Sequence, residues 1–230
     1  MCRPEFAGKW RARARGMSLI EVLVSMVIVS LGALSATSLQ IVTKRTNRDA
    51  GQRLEATHVA STVIERMRAN NTEAALRTYA TLVRYTTTLP RPMGGGELYQ
   101  QLGLDCAGDA ASCCLVGTAS CTSEQVATVE LWQLEQVVDG AMEQVVSLGI
   151  TAGGLDQPTA CIEGPATPGD DGFYTVTVAF RGSMAIPEDT TVTCGHDARD
   201  RGTNAKVYGE NNEFRRTLTV AAYITPSVPK

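Results

Sequence analysis

MSLIEVLVSMVIVSLGALSATSLQIVT, residues 17–43, is the stretch that decides the architecture of this chain. It contains no lysine or arginine, and Glu21 is its single charged residue. It is longer than the roughly 20 residues that a helix needs to cross the hydrocarbon core of a bilayer. Lys44, Arg45 and Arg48 then end the apolar stretch. The pattern predicts a membrane-spanning helix with one carboxylate close to its start.

Charge is divided unevenly between the leader, residues 1–16, and the remainder of the chain. The leader carries five basic side chains against one acidic side chain, Glu5, whereas the whole chain has a formal net charge of -3. The remainder is therefore acidic, which argues against nucleic-acid binding, because a nucleic-acid binder carries its basic groups on the folded surface. A basic leader before an apolar helix also predicts that the leader stays in the cytoplasm.

Three interpretations of this N-terminal region compete. An ordinary secretory signal has a shorter apolar core that is followed by a small-residue cleavage site. A plain single-pass anchor fits the length, but it leaves the carboxylate of Glu21 unexplained, since a charge at the membrane centre costs about 2.5–3.5 kcal/mol. The third interpretation is an anchor whose acidic group has a partner, and it accounts for both the length and the charge.

The string GMSLIE, residues 16–21, follows a basic leader and opens an apolar helix. It resembles the class III signal of type IV pilins and type II secretion pseudopilins, although that family often has Phe where this chain has Met17. The resemblance implies that prepilin peptidase cleaves between Gly16 and Met17 and methylates the new amino terminus of Met17. It also implies that Glu21 neutralises the terminal amine of a neighbouring subunit in a filament. Gly16 suits cleavage because a residue without a side chain lets the backbone enter a tight protease site.

The residues after the anchor predict an amphipathic continuation of the helix over 44–71. Apolar side chains recur there at helical spacing, at Ala56, Val59, Ala60, Val63, Ile64 and Met67. Asn70 and Asn71 predict its end, since Asn tolerates the left-handed conformation that terminates helices. A helix of this kind needs a folded domain to cover its apolar face.

Residues 72–230 predict one globular domain. Residues 72–122 indicate an irregular connection that includes a cysteine-rich loop at 106–121, and Thr122 with Gln125 has the spacing of a capping box. A helix is expected at about 123–146, with an apolar face of Leu131, Leu134, Val138, Ala141 and Val145. Period-two alternation predicts strands at 172–180 and 215–224, with weaker candidates at 145–151, 159–163 and 190–194. The expected fold is α+β, with a long N-terminal helix packed on a small antiparallel sheet at about 145–225.

Four segments in the same order, residues 59–70, 129–136, 172–180 and 215–224, are similar to segments of the PilV family, the type IV pilus modification proteins. This resemblance implies a minor pilin that takes part in pilus assembly and priming, with effects on adhesion and twitching motility. Its expected partners are prepilin peptidase, other minor and major pilins and inner-membrane lipid, but not nucleic acid. It would span the inner membrane once with a periplasmic domain and then enter the pilus. Two alternatives stay open, a type II secretion minor pseudopilin and a membrane-tethered periplasmic domain that binds a ligand or adheres.

Cleavage after Gly16 would remove Cys2 and leave six cysteines, which permit fifteen pairings. Cys161 and Cys194 lie in or near predicted strands, so a bridge between them is expected. The other four, Cys106, Cys113, Cys114 and Cys121, would cross-link the loop by two further disulfides. Zinc binding is the rival interpretation, but the Cys-x2-Cys spacing of zinc sites is missing and an exported chain favours oxidation.

The sequence offers no catalytic residue, no resident metal site and no cofactor motif on which to build an enzyme. His58 and His196 have no adjacent nucleophile motif. Asp170-Asp171 and Glu188-Asp189 do not follow a recognised calcium loop, and neither does the Asp197/Asp200 pair. The run Gly94–Gly96 lacks the Lys-Ser/Thr that phosphate cradling requires. We therefore expect a structural and assembly protein.

Overall fold

The computed structural model describes residues 17–82, 121–140, 144–145, 150–151, 153–199 and 205–227. The leader, including Gly16, and most of the cysteine-rich loop lie outside these residues. The chain divides into two compact units, with the boundary between Lys44 and Arg45. The described elements are α1 Leu19–Ala69, α2 Glu73–Leu82, α3 Ser123–Val138, β1 Gln144–Val145, β2 Ile150–Thr151, β3 Thr159–Glu163, β4 Gly172–Arg181 and β5 Arg215–Ile224.

The main sheet has three antiparallel strands in the order β3-β4-β5. Its register pairs Thr159 with Ala179 and Gly172 with Ile224. One face of the sheet packs in a core with the second half of α1, with α2 and with α3. The sheet contributes Ala160, Ile162, Tyr174, Val176, Val178, Phe180, Ala222 and Ile224 to this core. The expected α+β fold is confirmed, as are the two strongly alternating strands.

The second half of α1 buries all six apolar residues that the helical spacing singled out, each at 4% exposure or less. The predicted end of the helix is also correct, since α1 stops at Ala69. The expected reason for this end was wrong, because neither Asn70 nor Asn71 adopts the left-handed conformation; neither is among the described residues with positive φ. Instead, the side-chain amide of Asn70 donates to Ser123 O at 2.8 Å, and that of Asn71 donates to Thr225 O at 3.1 Å. The two side chains tie the helix end to α3 and β5.

Helix α2 corrects the expectation of an irregular connection that begins at residue 72. Four of its apolar side chains fall on one face and are buried, at Ala75, Leu76, Tyr79 and Ala80. Thr72 caps the helix, because its hydroxyl accepts from Ala75 N at 3.2 Å. Glu73 and Arg77 form an ion pair one turn apart, with N and O atoms 2.6 Å from each other. A cap followed by a short apolar face was therefore readable here and was missed.

Helix α3 begins with the expected capping box, in which the Thr122 hydroxyl accepts from Gln125 N and the Gln125 side chain accepts from Thr122 N. It ends at Val138 and does not continue to about 146. Gly140 has φ +67, and a Cβ there would lie 2.0 Å from Gly153 O. The left-handed conformation of Gly140 ends the helix, and the close backbone approach leaves no room for a side chain there. The weak strand candidate 145–151 contributes the short antiparallel pair β1 and β2.

The weak strand candidate at 159–163 is confirmed as β3, whereas the one at 190–194 is wrong. Residues 190–194 form a loop around the buried guanidinium of Arg215, whose Nη1 donates to Val192 O at 2.7 Å and to Cys194 O at 2.9 Å. These carbonyls therefore bond to a side chain and not to a neighbouring strand. The strand preference of a few alternating residues is weak, and tertiary contacts of this kind override it.

A disulfide joins Cys161 on β3 to Cys194 in this loop, across a sequence separation of 33. Both residues are at most 2% exposed. Cys121 is also disulfide-bonded. Cys106, Cys113 and Cys114 lie outside the described residues.

We expect the double variant Cys161→Ser/Cys194→Ser to lose about 3 kcal/mol of unfolding free energy. The reason is that the cross-link restricts the unfolded chain over the intervening residues. Urea unfolding of the protein in detergent, followed by circular dichroism, measures this loss. The Thr193→Ala variant, which alters an exposed residue of the same loop, is the matched control. An unchanged urea midpoint in the double variant would show that the bridge does not hold the loop.

The buried hydroxyl of Tyr208 should make the unfolding free energy depend on pH in the alkaline range. Burial raises the pKa of its hydroxyl above the ordinary value, and this hydroxyl donates to Gln157 O at 2.7 Å. The folded state thus keeps the proton more tightly than the unfolded state does. Its contribution to stability is complete below the unfolded pKa of about 10 and is lost as the pH rises above that value.

The Tyr208→Phe variant should therefore lose about 1 kcal/mol at neutral pH, the usual net value of one hydrogen bond. It should also lose less stability than the wild type when the pH is raised above about 10. Unfolding free energies measured across this range test both parts. Thr219→Val, which removes a hydroxyl that is hydrogen-bonded to Thr177 but does not titrate, is the control. Parallel alkaline slopes for Tyr208→Phe and the wild type would contradict the argument.

Candidate functional site

The candidate site begins at the first turn of α1. The carbonyl of Ser18 accepts from Glu21 N at 3.0 Å and from Val22 N at 3.2 Å, so the helix is formed from Leu19 onwards. Glu21 consequently lies in the first turn, four residues after Met17. Backbone N–H groups at a helix N-terminus carry partial positive charge, which stabilises a carboxylate at this position. The site therefore holds a charged group at the end of an otherwise apolar segment.

The surface around Glu21 is apolar and exposed over the whole segment. Met17 is 68% exposed, and the large apolar side chains from Leu19 to Val42, apart from the half-buried Val22, are between 53% and 77% exposed. A continuous apolar surface of this size marks contact with lipid or with other apolar helices. Within the described residues, α1 is the one helix long and apolar enough to cross a membrane, judged by length and composition.

Six hydroxyl groups of this segment, from Ser25 to Thr43, are already satisfied by their own helix. Each donates to a carbonyl three or four residues earlier, as in Ser35 to Leu31 O at 2.9 Å and Thr43 to Leu39 O at 2.9 Å; Ser25, Ser30, Thr37 and Ser38 behave in the same way. Lipid offers no water to replace such bonds. The helix can therefore enter an apolar environment without leaving these donors unpaired, and Glu21 is the group whose charge remains to be neutralised.

The predicted site residues are thus divided over the chain. Met17 and Glu21 lie on the exposed N-terminal part of the segment, and Gly16 lies outside the described residues. Cys161 and Cys194 belong to the globular unit, where they fix a loop. These positions belong to one exposed apolar segment and one structural cross-link.

The globular unit contains a polar cluster that the sequence did not reveal, centred on Arg215. The side chain of Arg215 is 2% exposed, and its Nη2 lies 3.2 Å from Glu188 Oε1. His196 lies beside it, with Nε2 3.3 Å from Glu188 Oε1 and Nδ1 3.1 Å from Asp197 Oδ2. The ammonium of Lys206 lowers the pKa of Asp197. Nothing in the sequence distinguishes Arg215 from Arg216, so its central position follows from the tertiary fold.

This cluster holds the loop together and has no arrangement suited to a metal. The cations of Arg215 and Lys206 occupy the carboxylates that a metal ion would need. Among the described residues there is no group of three or more His, Cys, Asp or Glu placed to bind an ion. Asp200, one of the acidic residues considered from the sequence, lies outside those residues. The chemistry of this cluster is that of structural ion pairs.

Residues 11–37 match the family model of the prokaryotic N-terminal methylation motif. The matched range includes the end of the basic leader, the GMSLIE string and most of the apolar segment. Comparisons with curated proteins and with solved structures gave no match.

The methylation motif on an exposed apolar helix, followed by an α+β unit, supports a pilin-like protein. The motif supports a protein of the pilin or pseudopilin type, and together with the apolar N-terminal helix it indicates membrane anchoring. The motif implies processing by prepilin peptidase and association with other pilins, which indicates a structural role.

Proposed function

We propose that this protein is a minor type IV pilin of the PilV family. It takes part in assembly and priming of the pilus fibre and thereby affects adhesion and twitching motility. The observation that carries the proposal is the methylation motif at residues 11–37, whose one acidic residue within the apolar segment is Glu21. The four sequence segments similar to PilV support the narrower assignment.

In this proposal the chain is inserted in the inner membrane with its basic leader in the cytoplasm and its domain in the periplasm. Prepilin peptidase cuts between Gly16 and Met17 and methylates Met17. Cleavage removes the five basic side chains of the leader and creates a new amine at the start of the apolar segment. The change leaves an apolar helix with one cationic end and one nearby carboxylate.

Glu21 then pairs with the amine of Met17 in a neighbouring subunit. A charge that leaves water for an apolar environment is costly unless it is paired. A subunit that is shifted along the filament axis would leave both the amine and the carboxylate unpaired. The pair therefore favours one axial position of each helix among its neighbours, while the exposed apolar surface supplies the contact area.

The globular unit is carried to the cell surface, where disulfides are stable. The Cys161–Cys194 bridge and the buried Arg215 cluster hold its loop without help from a ligand. This construction suits a domain that has to survive outside the cell. It favours a role in contact and assembly over turnover of a substrate.

The experiment that tests the proposal is a pull-down of the processed protein from its own cells, with identification of the co-purifying proteins by mass spectrometry. A minor pilin should bring down other minor pilins and the major pilin. Recovery of type II secretion components in their place would identify a pseudopilin and contradict the PilV assignment. A strain that lacks prepilin peptidase provides the control, because the unprocessed chain should not bring down the pilins.

A further inference from the structure

The loop SMAIP, residues 183–187, follows β4 in the globular unit and exposes apolar side chains. Met184 is 45% exposed and Ile186 is 44% exposed, and Ala185 and Pro187 are exposed as well. An exposed apolar cluster on a loop costs solubility unless it meets an apolar surface. This 183–187 loop has no part in the N-terminal processing site described above.

Hydrogen bonds fix this loop against the first residues of the globular unit. Ser183 donates to Asp49 Oδ1 twice, from its backbone N at 3.0 Å and from its hydroxyl at 2.8 Å. Its hydroxyl also lies 3.4 Å from Arg45 O. Arg45 follows the apolar segment 17–43 by only two positions in the sequence. Covalent connection alone therefore keeps the 183–187 loop at the membrane-proximal end of the unit while residues 17–43 span the bilayer.

Several backbone polar groups in and next to the loop are already hydrogen-bonded within the protein, which suits an apolar environment. Gly182 N donates to Phe214 O at 2.8 Å, and Ile186 N donates to Glu213 O at 2.8 Å. The guanidinium of Arg216 donates to Met184 O. These bonds hold the loop in one conformation, so that little ordering entropy is lost on binding. They also occupy polar backbone groups that would otherwise have to be dehydrated.

Two exposed basic side chains next to the loop fit a phospholipid surface, and the two carboxylates that follow the loop, Glu188 and Asp189, are hydrogen-bonded within the globular unit. The Arg45 side chain is exposed, and the Arg48 side chain is 63% exposed while it pairs with Asp156 at 2.6 Å. The carboxylate of Asp49 is occupied by Ser183. Basic side chains at this level attract anionic headgroups, and neighbouring apolar side chains enter the boundary between headgroups and acyl chains by about 5–10 Å.

We propose that the 183–187 loop is a membrane-interface contact, in which Met184 and Ile186 insert into the surface of the bilayer while the chain is still anchored there. The contact fixes the globular unit against the membrane before the helix leaves lipid for the filament. The inference rests on the proposed membrane anchoring and adds a second attachment point, distant from it in sequence. The occupant is the phospholipid surface, and release from it accompanies assembly.

The test uses the full chain in phospholipid vesicles that contain brominated acyl chains, which quench tryptophan on contact. Met184→Trp and Ile186→Trp place a probe on the loop, and Phe173→Trp, an exposed aromatic position on β4, is the matched control. The unaltered protein, with Trp10 and Trp132, gives the baseline. Flotation of the same vesicles records whether the chain is membrane-bound.

In both loop variants we expect the fluorescence of the introduced tryptophan, measured above the baseline, to be blue-shifted and to be mostly quenched by brominated lipid. The fluorescence of the tryptophan introduced by Phe173→Trp should not be quenched. Flotation without quenching of either loop variant would overturn the loop contact and leave membrane anchoring intact. Failure of the chain to float would overturn the anchoring itself, and the loop contact with it. A blue shift that requires a second pilin, and not lipid, would also overturn the proposal.

Discussion

Replacing Gly16 by phenylalanine should leave the chain as an intact precursor with an unmethylated amino terminus. The bulky side chain would stand at the residue before the proposed cut, where the backbone has to enter a tight protease site. We expect loss of essentially all processing and not a partial decrease. Intact mass measurement of protein from cells that contain prepilin peptidase reads the result directly.

Gly8→Phe is the matched control for this experiment, because it adds the same side chain to another glycine of the leader. It should be processed as the wild type is. Normal cleavage of Gly16→Phe would show that the cut lies elsewhere or does not occur. Inhibition of both variants alike would indicate a general effect on the leader, and it would also contradict a specific role for Gly16.

The Glu21→Ala variant should be cleaved normally but should fail to assemble. In the proposed function the peptidase recognises the residues around Gly16, whereas the carboxylate acts only after the new amine exists. Removing one member of a buried charge pair costs about 3–5 kcal/mol, which is on the order of a thousandfold in association. Co-purification of the processed variant with other pilins, compared with that of the wild type, measures this loss.

Ser25→Ala is the control, because Ser25 lies one turn further along the same exposed helix face and bonds only to its own backbone, at Val22 O. It should co-purify as the wild type does. Glu21→Gln keeps the shape of the side chain without its charge, and it should behave as Glu21→Ala does. Wild-type assembly by Glu21→Gln would mean that hydrogen bonding, and not charge pairing, is the function of this position.

Most of the fold was predictable because local patterns determine it. The buried face of α1 follows from apolar spacing, and β4 and β5 follow from a strict alternation that tertiary contacts reinforce. The capping box of Thr122 and Gln125 needs only residues that are close in sequence. Each of these features can be read without knowing what lies across the domain.

The features that could not be predicted depend on contacts between distant residues. The backbone of Gly153 and Gly154 lies against Gly140, just after the end of α3, and leaves no room for a side chain there. Arg215 holds residues 190–194 in a loop because a buried guanidinium takes their carbonyls. Neither contact leaves a periodic signal in the sequence. α2 is different, since its cap at Thr72 and its short apolar face were present in the sequence and were overlooked.

The functional residues likewise include some that the sequence predicts and some that only the folded structure reveals. Gly16, Met17 and Glu21 were recognisable because processing depends on a linear motif, and the family match covers this region. The 183–187 loop was not recognisable, since its position near Arg45 and Asp49 exists only in the folded unit. The sequence shows Met184 and Ile186 as two ordinary apolar residues in a loop.

The central claim is tested most directly by the intact mass and N-terminal sequence of the protein purified from its own cells. The account predicts a chain that begins at Met17 and carries one added methyl group on its terminal amine. A mature chain that retains residues 1–16 and an unmodified amino terminus would contradict it.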